Sequence, residues 1–154
     1  MREIPGFVIS SPPRTKKNSQ RVVTIPNKGA RRCERCGHMP GFPKPLPSEA
    51  YEEWEKNALS QCVGIKVQLA ALGVELPILA PVSVEAAVYR ERDTGDAVGY
   101  YQAVGDMLQA AGILKDDRQI EDWDGSRRLK DAANPRVEIF ITVLSDLPIQ
   151  EKLP

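Results

Sequence analysis

The alternation of apolar and polar residues along the chain predicts several strands and two long helices. Short apolar or alternating runs typical of β-strands occupy residues 7–10, 21–26, 82–90 and 136–144. Apolar residues at helical spacing follow Ser48, which is a good N-cap residue. A second helix is predicted between a cap at Asp96 and a stop at Gly112, and a further strand leads into a turn at Asp124–Gly125. This order predicts an α+β fold, with a mixed β-sheet and two main helices packed against it.

One segment breaks the pattern. Residues 27–47, "NKGARRCERCGHMPGFPKPLP", are rich in Gly, Pro and basic residues and predict an irregular inserted loop. A loop of this length in a compact domain is usually functional, disordered or held in place by another group. We expect a single domain over residues 1–147 that carries this insertion, with a loose tail over residues 148–154.

Charge is segregated along a chain whose formal net charge is zero. Residues 1–50 hold ten Lys and Arg against three acids, whereas residues 90–131 hold ten acids against seven bases. A basic arm beside an acidic cluster suits an enzyme that binds a polyanion and cleaves it with a metal. The sequence has no apolar run of about 20 residues and no signal-peptide pattern, so we expect a cytoplasmic protein without a membrane partner.

The acidic region raises two interpretations. Asp96 precedes a helix, where an aspartate caps free N–H groups, and Asp116 and Asp117 stand in a turn, where acids are commonly solvated. In the alternative interpretation, Asp96 at the end of one strand and Asp116 and Asp117 at the start of the next strand converge in one cleft. Clustered carboxylates are costly unless a cation binds between them, and all-oxygen ligands suit Mg²⁺ or Mn²⁺. Asp93 is a further candidate ligand on the same loop.

The segment "GDAVGYYQAVGDMLQAAGILKDDRQI" resembles the RusA family of Holliday junction resolvases, and so does the Pro-rich, Lys-Asn turn "PPRTKKNSQR". Family members typically carry Asp-x-Asp-Asn, a helix Lys, an Asp-x-Leu and an Asp-Asp pair before a strand. Aligned without gaps, the first Asp is Asp96, the helix acid is Asp106, and the pair is Asp116 and Asp117. The resemblance covers residues 7–25 and 82–144. It implies a RusA-like fold and a homodimer that binds four-way DNA junctions and nicks them symmetrically with Mg²⁺, without a small-molecule cofactor, as in phage-type relatives active in recombination and repair in a bacterial host.

The sequence departs from this pattern at three positions. Val98 replaces the second acid, Gly99 replaces the Asn and Gln102 replaces the helix Lys. Asp93 is a candidate substitute for the missing acid, so the predicted catalytic set is Asp96, Asp117, Asp93 and Asp116. The first three are the predicted metal ligands. Asp106 is unresolved, because ten helical residues turn it about 80° from Asp96. The alternative is a branched-DNA-binding dimer that has lost cleavage.

Two basic loops are candidate phosphate contacts. One is the turn after the first strand, and the other follows the Asp124–Gly125 turn; such contacts are salt-sensitive and sequence-independent. The predicted DNA-binding residues are Arg14, Lys16, Lys17, Asn18, Arg21, Arg92, Arg127, Arg128 and Lys130. The competing interpretation is that each charge is simply solvated.

The cysteines and the single histidine suggest a second metal. Cys33 and Cys36 form a Cys-x-x-Cys pair in the inserted loop, with His38 two residues later, and Cys62 lies on the first predicted helix. A structural Zn²⁺ held by all four would explain how the loop is ordered. Cys62 also stands at a core-facing helical position, where a lone Cys is commonly inert packing.

Overall fold

The computed structural model describes residues 1–16 and 20–144, and these build an α+β domain with two helices on a mixed sheet. The elements in chain order are β1 (Arg2–Ile9), β2 (Arg21–Pro26), β3 (Gly41–Leu46), α1 (Glu49–Ala71), β4 (Val82–Arg90), α2 (Ala97–Ala110), a 3-10 turn (Asp117–Gln119), β5 (Ile120–Asp122), β6 (Arg127–Lys130) and β7 (Arg136–Val143). The predicted fold class is confirmed. None of the helices among these residues has the length and apolar character to cross a bilayer.

The main sheet has the strand order β1-β7-β4-β5, and β6 also pairs with β4 beyond the end of β5. Strand β7 is antiparallel to both β1 and β4, whereas β5 and β6 run parallel to β4. Strand β4 therefore lies inside the sheet. Its residues Val82, Val84, Ala86 and Val88 are fully buried, since helices pack on the sheet and burial of apolar surface favours folding.

Helix α1 begins where the sequence predicts. The Ser48 hydroxyl accepts a hydrogen bond from the Tyr51 backbone N–H at 3.2 Å. The buried residues recur at intervals of three and four, so one stripe faces the sheet and α2. Gly64 lies inside the continuous helix, and the chain leaves the helix at Gly73, whose φ of 75° suits glycine.

The prediction of an unbroken irregular loop over residues 27–47 was wrong, because its second part forms β3. Strands β2 and β3 make a separate antiparallel hairpin, in which Val22 is opposite Pro45 and Thr24 is opposite Pro43. Prolines two residues apart place their donor-less nitrogens on one side of a strand. A two-stranded ribbon tolerates them because its outer edges need no partner. The expected loose tail over 148–154 lies outside the described residues.

Candidate functional site: a carboxylate cleft along helix α2

An open cleft runs beside α2 and contains two of the acids that the sequence highlights. We call it the carboxylate cleft; its volume is about 390 Å³, and its lining residues are Lys16, Gln20, Pro45, Pro47, Gln102, Asp106 and Asp117. A neighbouring hollow of about 220 Å³ shares Gln102 and Asp117 with the cleft and is lined also by Val98, Tyr101, Gly105, Ile120 and Trp123. The Tyr101 and Trp123 rings stack with centroids 5.2 Å apart.

Lys16 and Asp106 form the main ion pair of the cleft. The Lys16 Nζ lies 2.8 Å from the Asp106 Oδ2, and both side chains remain partly exposed. Asp106 raises the pKa of Lys16 above its usual value through this hydrogen bond, and the charges of Glu55 and Asp117 add to the effect. The cleft therefore surrounds one ammonium with carboxylates and remains open to solvent.

Asp117 lies beside the middle of α2. A Cβ placed on Gly105 would lie 3.7 Å from the Asp117 Cβ, which is an ordinary packing distance, so the turn before β5 packs directly on this part of the helix. The Asp117 backbone N–H donates a hydrogen bond to the Gln109 Oε1 at 3.2 Å. These two contacts with α2 position Asp117 at the cleft.

The structure does not bring Asp96 and Asp117 together. Asp96 is the N-cap of α2, and its Oδ1 accepts a hydrogen bond from the Gly99 N–H at 3.1 Å. Asp117 lies beside Gly105, nine residues further along, which is roughly 13 Å of helix. Asp96 therefore serves the N-terminus of α2, whereas Asp117 packs beside a later turn of the helix.

Asp93 and Asp116 also have local partners. The Asp93 Oδ1 lies 2.8 Å from the Arg90 Nη1, and Arg90 is buried. Asp116 caps the 3-10 turn, where its Oδ1 accepts from the Arg118 backbone N–H at 3.0 Å. This backbone hydrogen bond, followed by the hydrogen bond from the Arg118 side chain, holds the pKa of Asp116 below its usual range. Of the four predicted catalytic acids, only Asp117 lines the carboxylate cleft.

The first turn of α2 packs closely against the turn after β1. A Cβ on Gly99 would collide with the Asp96 Oδ1 and would lie 3.1 Å from the Thr15 Cγ2. Thr15 is buried. The local sequence pattern did not indicate this role, because the contact joins segments more than 80 residues apart.

Besides Lys16, two of the predicted DNA-contact residues are engaged in ion pairs. Arg14 lies 3.3 Å from Glu91. Arg21 bridges Glu49 and Glu52 of α1, with both nitrogen–oxygen distances at 2.8 Å. The Arg14 pair lies at a second open cleft of about 480 Å³, whose lining also includes Arg92 and Tyr100. The turn after β1 thus contributes Arg14 to one cleft and Lys16 to the other.

The other predicted basic contacts vary in exposure and role. Exposed cations are found at Arg92, Arg127 and Lys130. The Arg128 guanidinium donates a hydrogen bond to the Gly95 carbonyl, so β6 holds the loop that precedes α2. Lys17 and Asn18 lie outside the described residues.

The four predicted zinc ligands are not brought together. Cys62 is buried in the core, where its Sγ lies 3.4 Å from the Met107 Sδ, and burial raises the pKa of its thiol to about 11. Cys33, Cys36 and His38 are exposed on the connection between β2 and β3. The Cys62 side chain faces inward because it continues the buried stripe of α1, which also includes Ala58.

The carboxylate cleft provides donors of the type that magnesium prefers. Asp106 and Asp117 offer carboxylate oxygens, and Gln102 offers a neutral amide oxygen. Magnesium is commonly bound through one or two carboxylates together with water and substrate phosphates, so this set fits the ion. Across residues 1–16 and 20–144, no three His, Cys, Asp or Glu side chains converge into a complete metal-binding group.

The sequence matches no protein-family model and, at a significant level, no curated protein. The motif similarity to RusA resolvases is therefore an expectation rather than an assignment.

Proposed function

We propose that the protein is a metal-dependent endonuclease that acts on branched DNA, with the four-way junction as its substrate and a homodimer as its working form. The observation that carries the proposal is that Asp106 and Asp117 share one open cleft with Lys16. Two acids can hold a divalent cation and an ammonium can offset phosphate charge, which suits the cleavage of a phosphodiester because the reaction requires charge neutralisation around the phosphate. A cytoplasmic location is part of this proposal.

Asp117 and Asp106 are the residues that would hold Mg²⁺ or Mn²⁺, with Gln102 beside them. The bound ion would supply Lewis-acid polarisation of the scissile phosphate. Lys16 would exchange its contact with Asp106 for a phosphate oxygen as DNA enters, because both partners remain partly exposed to an incoming ligand. Exchange of this kind leaves Asp106 free to face the cation.

Positive charge near the clefts is suited to the DNA backbone. Arg92 lines the second cleft together with Arg14, and Arg127 and Lys130 are exposed along β6. Contacts of these residues with phosphates would orient a junction without reading its base sequence, which matches recognition of branch shape. Binding would weaken as the salt concentration rises.

A second candidate function is binding of branched DNA without cleavage. Val98, which stands where the RusA pattern has its second acid, lines the hollow next to Asp117 and is 62% exposed. Gln102 leaves the cleft without the helix lysine of that pattern. Binding without cleavage is favoured by the composition of this site, which has one carboxylate fewer than the resemblance to RusA resolvases implies.

The test is cleavage of an end-labelled synthetic four-way junction with Mg²⁺ or Mn²⁺ by the wild type, Asp117→Asn and Asp96→Asn. The matched control is Asp96→Asn, since asparagine caps a helix about as well as aspartate and so preserves the first turn of α2. We expect paired nicks near the branch point in the wild type and in Asp96→Asn. Asp117→Asn should bind the junction and leave it intact.

Each other outcome changes the assignment. Wild-type binding to the junction without nicks would favour the non-cleaving candidate. Equal nicking by Asp117→Asn would remove Asp117 from the site, and loss of nicking in Asp96→Asn alone would move the chemistry to the N-terminus of α2. A wild type that neither binds nor cleaves branched DNA would refute both candidates.

A further inference from the structure

The connection between β2 and β3 forms a tip whose exposed thiols have no role in the carboxylate cleft. Cys33 and Cys36 are exposed, and the tip closes through two backbone hydrogen bonds of 2.8 Å, from Cys33 N–H to the His38 carbonyl and from Gly37 N–H to the Cys33 carbonyl. Gly37 follows the second cysteine with a φ of 70°, which allows the sharp reversal. The structure therefore presents a folded turn around the two cysteines.

Cys33 and Cys36 both lie on this single closed turn, with two residues between them. A Cys-x-x-Cys pair on one turn is a usual arrangement of two zinc ligands, because both sulfurs can reach the same ion.

One chain supplies only half of a tetrahedral thiolate site. Zinc in a structural site takes four protein ligands, yet the part of the chain described here gathers no three metal-binding side chains. Cys62 is buried against Met107 in the core. The tip also lies beyond the ends of β2 and β3, and six residues of strand separate it from the base by about 20 Å.

We propose that Cys33 and Cys36 bind zinc together with the same two cysteines of a second copy of this chain, so that the hairpin tips of two molecules are joined by one tetrathiolate zinc ion. The proposal does not rest on the nuclease activity, because neither cysteine lines the carboxylate cleft. The sequence predicted a zinc site within one chain that includes Cys62, whereas the site proposed here lies between two chains.

Charge favours the metal-bridged form over direct contact of two bare tips. Each tip carries arginines at three positions and only one acid, and the residues concerned are Arg31, Arg32, Glu34 and Arg35. Two such tips repel each other. Four thiolates and one Zn²⁺ carry a net charge of −2, which the surrounding arginines offset. Exposure of the cysteines on the connection allows a second tip to approach without unfolding of the domain.

The test uses the full chain purified under reducing conditions from zinc-supplemented cells. Zinc content per chain is measured by atomic emission, and native mass spectrometry reports the number of chains per zinc. We expect one zinc for every two chains, and a visible spectrum of the Co²⁺-substituted protein typical of tetrahedral coordination by four thiolates. Cys33→Ser and Cys36→Ser should each lose the metal, whereas His38→Asn and Cys62→Ala should keep it.

Several results would overturn the proposal. One zinc per chain, or loss of zinc in His38→Asn, would indicate a site within a single chain. A wild type with free thiols and no zinc above background would exclude the site, and a Cys33–Cys36 disulfide that persists under reducing conditions would make the pair a structural disulfide instead. If Cys62→Ala fails to fold because of its core position, the number of chains per zinc in the wild type and the zinc content of His38→Asn still test the proposal. If the chain also dimerises through another surface, the expected ratio of one zinc to two chains is unchanged.

Discussion

The Lys16 ammonium lies 2.8 Å from the Asp106 carboxylate, and this contact joins the turn after β1 to the middle of α2 across 90 residues of sequence. Both residues line the carboxylate cleft, which Asp117 also lines. Because each partner remains partly exposed, the pair can open when a ligand of higher charge arrives. Substitution of Lys16 and substitution of Asp106 are therefore expected to have opposite effects on DNA binding.

Lys16→Met should weaken binding to a four-way junction, and Asp106→Asn should strengthen it. The first change removes a phosphate-binding cation, while the second frees that cation from its carboxylate partner. For Lys16→Met, the slope of log Kobs against log salt should fall by about 1. Fluorescence anisotropy at several salt concentrations measures both effects. Equal affinities for the three proteins would show that Lys16 does not reach the DNA.

Val98→Asp should increase nicking of the junction by about tenfold, which is about 1.4 kcal/mol of transition-state stabilisation. Val98 is exposed in the first turn of α2 and lines the hollow that contains Asp117. An acid in the first turn also interacts favourably with the helix dipole, so stability should not decrease. Single-turnover cleavage rates test the gain, with Val98→Asn as the uncharged control. A rate unchanged from wild type would mean that no acid is missing there.

Asp96→Ala should lower the free energy of unfolding by about 1 kcal/mol, because the carboxylate caps the Gly99 N–H at the start of α2. Asp96→Asn should stay within a few tenths of wild type, since asparagine is an equally good cap. Urea denaturation followed by circular dichroism gives both values. Similar losses in the two variants would point to a role for the negative charge instead of the cap.

Iodoacetamide should modify Cys33 and Cys36 in the native, chelator-treated protein and leave Cys62 unmodified. Cys62 is 1% exposed, and burial raises the pKa of its thiol to about 11, so little thiolate forms at neutral pH. Peptide mass mapping before and after unfolding in guanidinium measures the difference. Rapid native labelling of Cys62 would show that α1 opens readily around Met107.

Asp131→Asn should destabilise the protein at neutral pH and have no effect in strong acid. Arg136 lies 2.9 Å from Asp131 and lowers the pKa of that carboxyl below its ordinary value of 3.8. The stabilisation is therefore fully present above about pH 4 and is lost as the pH falls through the lowered pKa. Free energies of unfolding at pH 7 and below pH 3 measure this. A constant difference at both pH values would exclude the ion pair as its cause.

Much of the fold follows from local patterns. The predicted strands at Arg21–Pro26 and Val82–Arg90 agree with the observed bounds, and Ser48 and Asp96 cap the helices as expected. These features depend on the side-chain periodicity and on hydrogen bonds within a few residues, which a single sequence displays directly. Strand β3 was missed because its prolines normally argue against a strand.

The candidate site was only partly predictable, because it depends on contacts between distant segments. The sequence marked Asp96 and Asp117 as partners, but α2 separates them by the length of its first turns and brings Asp117 to Gly105 and Asp106 instead. The helical period alone could not assign Asp106 to the cleft. Its position depends on which face of α2 meets the turn before β5.

The sequence by itself determined both helices and their caps, most of the strands, the segregation of charge and the Cys-x-x-Cys pair, since each of these is local chemistry. Only the tertiary structure decided which acids share a cleft, that Lys16 pairs with Asp106, and that Cys62 belongs to the core. The reason is physical: strand pairing and helix packing fix the directions of side chains far apart in sequence, and burial of the whole apolar surface selects that arrangement.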